Sequence, residues 1–165
     1  MTVSSERVIV FNSPFEAGLR SMIILTAVYP ASIDLHRVLQ FDYMLVHSAD
    51  LGGPESLHPP VPLRSGELLV RRGLLDRGLQ LMMSRGLVDR ILGEGGIHYI
   101  ATDASQPFLS CLTAPYALKL IERAQWVAES FLGIDEQALS SIMKRSFAHW
   151  SSEFHSVEQG RRVEL

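Results

Sequence analysis

The sequence contains a single cysteine, Cys111, and this scarcity excludes an internal disulfide and a cysteine-based zinc cluster. It also lacks a membrane-spanning run. The most apolar stretch, Met22 to Val28, falls far short of the roughly 20 residues that a spanning helix needs. The N-terminal residues lack the pattern of a signal peptide. We therefore expect a soluble, cytoplasmic protein.

A strong excess of one charge is absent as well. Fifteen lysines and arginines stand against 18 acidic residues, so the net charge is −3 and any contact with nucleic acid would need a local basic patch. Hydrophobic residues make up 47% of the chain, which indicates a globular protein with apolar surface available to a partner. The length of 165 residues fits one domain with a helical extension.

Motifs for catalysis are also missing. The chain has no GxSxG, P-loop or GxGxxG motif, and the apolar stretch around Cys111 is typical of a buried, inert thiol. His47, Asp50 and His58 are of metal-ligand type, but their spacing matches no local metal signature. We interpret His47 as a helix end, where an imidazolium suits the helix dipole, and the other two as loop residues. No catalytic, cofactor-binding or metal-binding residue is predicted.

Most of the sequence shows patterns typical of helices. A short strand at Arg7–Phe11 precedes a helix that Ser13, Pro14 and Glu16 begin as a capping box and that should end before Pro30. A second helix begins near Asp34 and reaches Ser48, and its apolar stripe is interrupted only by Asp42.

The middle of the chain predicts a winged helix-turn-helix. Residues 67–72 indicate a short helix, Gly73 a turn, and residues 74–85 a longer helix that Gly86 stops. LVDRIL and IHYIAT then alternate around GEGG, the pattern of a two-stranded wing. The order of helix, turn, helix and hairpin is that of the motif, with the helix from Asp34 to Ser48 as its first member.

Helices also dominate the C-terminal part. We predict a short helix begun by Asp103, a longer one from Pro115 to Gly133, and a last one capped by Asp135. The fold class is therefore mainly α (α+β), with a winged helix-turn-helix core, a two-stranded wing and additional C-terminal helices. The predicted boundaries are 1–112 for the winged-helix domain, 113–156 for a helical extension packed on it, and 157–165 for a mobile tail.

Two surfaces are candidates for binding. The helix over residues 74–85 and its surroundings offer side chains for DNA, although Asp76 opposes phosphate and the wing tip has no basic residue. The stretch HSADLGGPESLHPPVP joins two helices through a Gly-Gly pair and several prolines, and we interpret it as an ordered docking loop. The candidate DNA contacts are Arg71, Arg72, Arg77, Gln80 and Arg90; the candidate docking residues are Asp50, Gly52, Gly53, His58, Pro59 and Pro60.

The chain resembles the middle component 2 type of the prokaryotic ABC-three-component systems. The resemblance rests on FNSPFEAGLRSMIIL, on FDYMLVHSADLGGPESLHPPVPLRSGELLVRR and on GLQLMMSRGLVDR, with PFLSCLTAPY and RAQWVAESF after them. It covers approximately Phe11 to Leu132. It implies a small protein that works with a large ABC ATPase of the SMC and Rad50 class, in a system serving defence against mobile elements, and it assigns no catalytic residue.

These observations lead to one hypothesis and one alternative. We expect a non-enzymatic winged-helix adaptor that binds the SMC/Rad50-like ATPase and other components of the system. We also expect it to form a homodimer, and direct contact with DNA stays open. The alternative is a winged-helix transcriptional regulator, which would read DNA through Arg77 and Gln80.

Overall fold

The computed structural model describes residues 13–59 and 65–147, and for residues 65–68 it describes the backbone alone. Four predictions lie wholly or partly outside these residues: the strand at Arg7–Phe11, the place of Pro60 in the loop, the helical extension over residues 148–156, and the tail over 157–165. The described chain is mostly helical with a small three-stranded antiparallel sheet. The α+β class is confirmed.

Helix α1 (Pro14–Val28) begins where the sequence predicts. The Ser13 hydroxyl accepts a hydrogen bond from the Glu16 backbone N–H at 3.1 Å, so it satisfies one of the first-turn donors that have no partner within a helix. Pro14 stands at the first position, where its missing N–H costs nothing. The helix ends before Pro30, as predicted.

A two-residue strand, β1 (Ile33–Asp34), leads directly into helix α2 (Leu35–Val46). The Asp34 carboxylate accepts a hydrogen bond from the Arg37 backbone N–H at 2.8 Å and caps the helix, which confirms the predicted start. The helix ends at Val46, and one 3-10 turn over Ser48–Leu51 follows it.

One continuous helix, α3 (Ser65–Ser84), occupies the segment for which the sequence predicts two helices and a turn. The predicted turn at Gly73 is wrong. Such a turn needs a glycine in the left-handed region, and Gly73 is not among the glycines with positive φ. A glycine inside a helix costs roughly 1 kcal/mol relative to alanine, which the packing of the remaining turns offsets. Gly86, with a φ of 69°, stops the helix as predicted.

Strands β2 (Val88–Gly93) and β3 (Gly96–Ala101) form the predicted antiparallel hairpin. β1 also pairs antiparallel with β3, with Ile33 opposite Tyr99, so the sheet order is β1-β3-β2 and β2 lies at an edge. β1 could not be predicted from the sequence, because two residues are too few for an alternating pattern to appear.

Helix α4 (Ser105–Ser110) begins later than predicted. Ala104 stands at its N-cap, so the prediction that Asp103 starts the helix is wrong. The position of this helix is fixed instead by Ser105, whose buried hydroxyl donates to the Leu87 carbonyl at the base of the hairpin. Tertiary anchoring has therefore decided the start in place of a capping residue.

Helix α5 (Pro115–Phe131) begins at the predicted proline. A last helix, α6, covers residues 136–147, and the Asp135 carboxylate accepts from the Ala138 backbone N–H at 2.8 Å, as the capping prediction requires. The Arg37 guanidinium of α2 donates to the carbonyls of Phe131 and Ile134. This side chain therefore joins α2 to the connection between the last two helices.

Helix α1 lies at the centre of the molecule, between α3 and α5. It approaches α3 most closely where Gly18 meets Gly78, because a Cβ on Gly18 would lie 2.6 Å from the Gly78 carbonyl oxygen. One contiguous apolar core extends from α1 to α6, so the described part of the predicted C-terminal extension shares the core of the rest. Its fully buried members include Met22, Ile24, Phe41, Leu79, Leu120 and Leu139.

Candidate functional site

A cluster of charged side chains lies inside the protein, where three helices meet. Asp42 of α2 is 0% exposed, and its carboxylate accepts from Arg20 of α1 in a bidentate pair, with Nε to Oδ1 at 2.6 Å and Nη2 to Oδ2 at 3.3 Å. Arg71 of α3 donates to Oδ2 of the same carboxylate from Nε at 2.9 Å and lies 2.8 Å from it through Nη2. One buried carboxylate therefore joins α1, α2 and α3.

Electrostatics fix the charge state of this cluster. Burial acts to raise the pKa of Asp42, but Arg20 and Arg71 outweigh it and hold the pKa at about 2. Burial likewise opposes the charge on Arg20, yet its pKa is raised above the ordinary arginine value because Asp42 stands beside it. Both groups are therefore charged at neutral pH.

The sequence contained only a faint signal for this cluster. Asp42 interrupts the apolar stripe of α2, and a carboxylate in such a position is buried only when it is paired. Arg20 was missed, because nothing in the pattern of α1 separates it from a surface arginine. Arg71 was predicted as a DNA contact; its guanidinium is directed at Asp42, and its side chain is 19% exposed.

A second set of polar groups surrounds the cluster on the side of α5. Nε2 of His58 lies 2.6 Å from the Tyr116 hydroxyl, and the two rings are stacked with 11° between their planes. Burial raises the pKa of Tyr116 to about 12, and the nearby Glu16 carboxylate adds to the effect. Burial also raises the pKa of Glu16, against the opposing influence of Arg20.

His47 and His58 are neutral at physiological pH. Burial lowers the pKa of each to about 4; the charge of Arg71 adds to the effect at His47, and that of Arg20 adds to it at His58. The expectation of an imidazolium at His47 is therefore wrong, because burial of the ring and the charge of Arg71 outweigh the attraction of the helix C-terminus. His47 does occupy the predicted helix end, as the C-cap of α2.

The loop from Ser48 to Pro59 is an ordered part of the fold. The backbone N–H groups of Leu57 and His58 both donate to the Val46 carbonyl at 3.0 Å, which closes the loop over the end of α2. Arg123 of α5 donates to the Glu55 carbonyl at 3.1 Å. Gly53 lies directly on the Trp126 ring, so any Cβ at this position would overlap it. The loop is therefore attached to α5 of the same chain.

The candidate docking residues are divided between the interior and the surface of this loop. Gly52 is exposed and has a φ of 73°, Pro59 is exposed, and Pro60 lies outside the described residues. Asp50 accepts from the Tyr43 hydroxyl at 3.2 Å, whereas His58 is directed inward at Tyr116. A docking role for the exposed part of the loop stays a prediction.

The three metal-type side chains border one cavity of about 450 Å³ between the loop and the end of α2. They do not converge as a ligand set: Asp50 is bonded to Tyr43, His58 to Tyr116, and the rings of His47 and His58 are 6.4 Å apart between centroids. Over residues 13–59 and 65–147 there is no group of three or more His, Cys, Asp or Glu placed to hold a metal ion.

The other candidate DNA residues lie on the surface of α3 and the hairpin. Arg72, Arg77 and Arg90 are exposed, as is Gln80, whose amide donates to Asp76 at 3.2 Å. Cys111 is exposed too, with its thiol directed at the Pro107 carbonyl at 3.4 Å. The prediction of a buried thiol is wrong, because α4 turns this residue outward despite its apolar neighbours in sequence.

A comparison with protein-family models identifies the family of this chain. Residues 10–153 match the model described as ABC-three component (ABC-3C) system Middle Component 2. The chain belongs to this family. As a middle component 2 protein it is one part of a multi-component system, so its partners include the other components of that system. No curated protein and no solved structure matched it. Among the described residues, no helix is long and apolar enough to span a bilayer.

Proposed function

We propose that this protein is a non-enzymatic winged-helix adaptor of its ABC-three-component system. In this proposal it acts in the cytoplasm as a homodimer, binds the large SMC/Rad50-like ATPase of the system, and serves a defence role through that complex. Membership in the middle component 2 family is the observation that carries the proposal, since it makes the chain one component of an assembly.

The order of the elements supports a winged helix. Helix α1, strand β1, helix α2, helix α3 and the β2–β3 hairpin follow one another, and β1 pairs with β3 so that the sheet order is β1-β3-β2. In this motif a helix leads directly into a hairpin that forms the wing. In this reading α2 and α3 are the two helices of the motif, and the loop from Ser48 to Pro59 lies in the connection between them.

The state of the ionisable groups supports an adaptor over an enzyme. Asp42, the most strongly perturbed carboxylate described, is shielded from solvent and bound by two arginines. A catalytic acid or base must reach the proton that it transfers, and a carboxylate in this position reaches only its own partners. The cluster is better explained as an internal junction of three helices.

Co-expression with the ATPase component of the same system tests the proposal. The expected result is a stable complex by size-exclusion chromatography with light scattering, and a dimeric mass for this protein alone. Absence of a complex at micromolar concentration would contradict the adaptor role, and a monomeric mass would contradict the homodimer.

A winged-helix DNA-binding regulator is the second candidate, and the exposed Arg77 and Gln80 favour it. If either side chain reads a base, replacing it by alanine should weaken binding to a cognate duplex by about 1–3 kcal/mol. A shift assay at low salt is the measurement. Absence of binding there would remove this candidate, because phosphate contacts are strongest at low salt.

A further inference from the structure

The cavity between the Ser48–Pro59 loop and the end of α2 leads from the surface to a buried ring. Its volume of about 450 Å³ is in the range of sites that bind small ligands. Ala49, Glu55 and Pro59 line it and are exposed, so the cavity opens to solvent between them. His47 also lines it and is 5% exposed. A molecule that enters from the loop surface therefore reaches the His47 ring.

The ring of His47 has no hydrogen-bond partner among the residues that the structure describes. It contacts the rings of Tyr43 and His58, whose centroids lie 4.8 Å and 6.4 Å away. A neutral imidazole offers one donor and one acceptor, and a buried polar group without a partner costs free energy. The ring is therefore suited to bind a polar group that enters the cavity.

The lining of the cavity is acidic. Asp50 and Glu55 contribute two carboxylates, and over the described residues the lining contains no lysine or arginine. Asp50 accepts a hydrogen bond from the Tyr43 hydroxyl. Glu55 is exposed at the mouth, and its backbone carbonyl accepts from Arg123 of α5, whose own charge is paired with Glu122 at 3.1 Å. The Glu55 side chain therefore stands at the entrance, on a loop that is attached to α5.

The positive charges behind the cavity are bound within the protein. After burial, the charges of Arg71 and Arg20 are the next influences on the pKa values of the two histidines. Both guanidinium groups are bound to Asp42, and Arg20 also lies 4.0 Å from a carboxylate oxygen of Glu16. These arginines are therefore held by internal carboxylates, so a molecule in the cavity meets the carboxylates of its lining.

A guanidinium group matches this lining. It is a planar cation that donates up to five hydrogen bonds, accepts none and stacks on ring faces. Its N–H groups suit the acceptor nitrogen of His47, and its charge is attracted by Glu55 at the mouth. An anion would meet two carboxylates and no basic side chain of the described lining, which is unfavourable. An arginine side chain carries its guanidinium on a long apolar stem, which suits a cavity that leads inward from the surface.

We propose that this cavity receives an arginine side chain of the ATPase component of the same ABC-three-component system. The guanidinium group donates to a ring nitrogen of His47 and pairs with the carboxylate of Glu55. This inference rests on the proposed adaptor function and specifies one contact of the complex. It also gives the exposed part of the loop a physical role in docking.

Charge reversal at the mouth of the cavity tests the proposal. Glu55→Arg puts a positive charge at the entrance and retains the backbone carbonyl that binds Arg123. Glu94→Arg makes the same change at the exposed turn of the hairpin and is the matched control. Each full-length variant is titrated with the purified ATPase component by calorimetry. We expect E55R to weaken binding roughly tenfold or more, because like charges across an interface repel, and E94R to change it less than twofold.

A second variant tests the inner end of the cavity. His47→Phe keeps an aromatic ring against Tyr43 but has no ring nitrogen, so it should also weaken binding to the ATPase component. Circular dichroism checks that each variant is folded. Weaker binding by E55R together with unchanged binding by H47F would overturn the proposal, because the contact would then lie on the loop surface and outside the cavity.

Nuclear magnetic resonance of the histidine rings shows whether the cavity itself is occupied. Nα-acetyl-arginine methylamide at millimolar concentration should shift the ring signals of His47 and leave those of the exposed His36 in place. The citrulline analogue has a similar shape without the charge, and we expect a smaller shift with it. Equal shifts for the two compounds, or no shift with either, would overturn the assignment to a cation.

The possible results separate this inference from the adaptor role. Unchanged affinity of E55R for the ATPase component would overturn the cavity contact and leave the adaptor role intact. Failure of the wild-type protein to bind that component would overturn both the adaptor role and the partner named here. A response of His47 to the arginine compound would in that case assign the cavity to a free cation.

Discussion

At the scale of single residues, the buried carboxylate of Asp42 stands out because it neutralises arginines from two other helices. Arg20 and Arg71 contribute to the fold only while this counter-charge is present, since an isolated buried guanidinium has lost its hydration without compensation. The side chain of Asp42 therefore links both α1 and α3 to α2. The energetic role of Asp42 is consequently much larger than that of an exposed aspartate.

Replacing Asp42 with asparagine should destabilise the protein by about 3–5 kcal/mol, because it leaves two arginines paired with a neutral group. The free energy of unfolding in urea measures the effect. Asp89→Asn is the matched control, because Asp89 is exposed on β2, and should change the stability by less than about 0.5 kcal/mol. A loss below 1 kcal/mol at Asp42 would show that the cluster is dispensable for stability.

The neutral histidines predict how the stability depends on pH. His47 and His58 have pKa values of about 4 in the folded protein against an ordinary value of 6.5, so between these values the unfolded chain binds more protons. The contribution of the two neutral histidines to the free energy of unfolding is therefore largest above about pH 6.5, and it is lost as the pH falls towards 4. Glu16 has the opposite effect on the pH dependence of stability. Its pKa is raised in the folded protein, so its contribution to stability decreases as the pH rises.

We expect the urea midpoint to be lower at pH 5.0 than at pH 7.5. In the double variant H47Q/H58Q the difference between the two pH values should be smaller, because the groups that take up protons on unfolding are gone. Equal midpoints for the wild-type protein at both pH values would contradict the assignment of neutral histidines.

At the scale of elements, the contact between α1 and α3 depends on two glycines that allow the backbones to meet. A Cβ on Gly78 would lie 2.6 Å from the Pro14 carbonyl oxygen and would also overlap Gly18. Gly73, one and a half turns earlier in α3, has open space around it. Two glycines of the same helix therefore have different roles, and their positions in the sequence do not distinguish them.

This difference gives a prediction of opposite sign for two similar changes. Gly78→Ala should destabilise the protein by about 1–3 kcal/mol through overpacking against α1. Gly73→Ala should stabilise it by about 0.5–1 kcal/mol, since alanine restricts the unfolded chain and fits the helix. Thermal and urea unfolding of both variants make the comparison. A stabilising Gly78→Ala would mean that the two helices are further apart than described.

At the scale of the whole molecule, the apolar core does not stop at the boundary near residue 112. Leu120, Ala124 and Val127 of α5 are buried with residues of α1 and α2, and Leu139 of α6 is fully buried. Removal of residues 113–165 would therefore expose the side of α1 that faces α5. The predicted boundary near residue 112 therefore crosses a continuous apolar core.

We expect residues 1–112 alone to fail to fold cooperatively, whereas the full chain should unfold in a single transition. The physical reason is the loss of a helix that packs along α1, a larger effect than any single cavity. Circular dichroism during thermal unfolding measures both chains. A sharp, reversible transition of the shorter chain would show that residues 1–112 form an independent domain.

Features that depend on neighbouring residues could be predicted from the sequence. The caps at Ser13, Asp34 and Asp135, the helix stop at Gly86 and the hairpin around Glu94 and Gly95 are local chemistry, and all were predictable. The resemblance to the middle component 2 family was also correct, because the family is defined by sequence.

Features that depend on residues far apart in the sequence could not be predicted, because they arise from packing in the folded chain. The continuity of α3 through Gly73, the pairing of β1 with β3 and the exposure of Cys111 result from packing across the chain, where local patterns have no influence. The same holds for the candidate sites. Arg71 was predicted to face outward, but the carboxylate that binds it lies 29 residues earlier in the chain. The sequence predicts His58 as a docking residue of the loop, and the fold brings Tyr116 to it from 58 residues away.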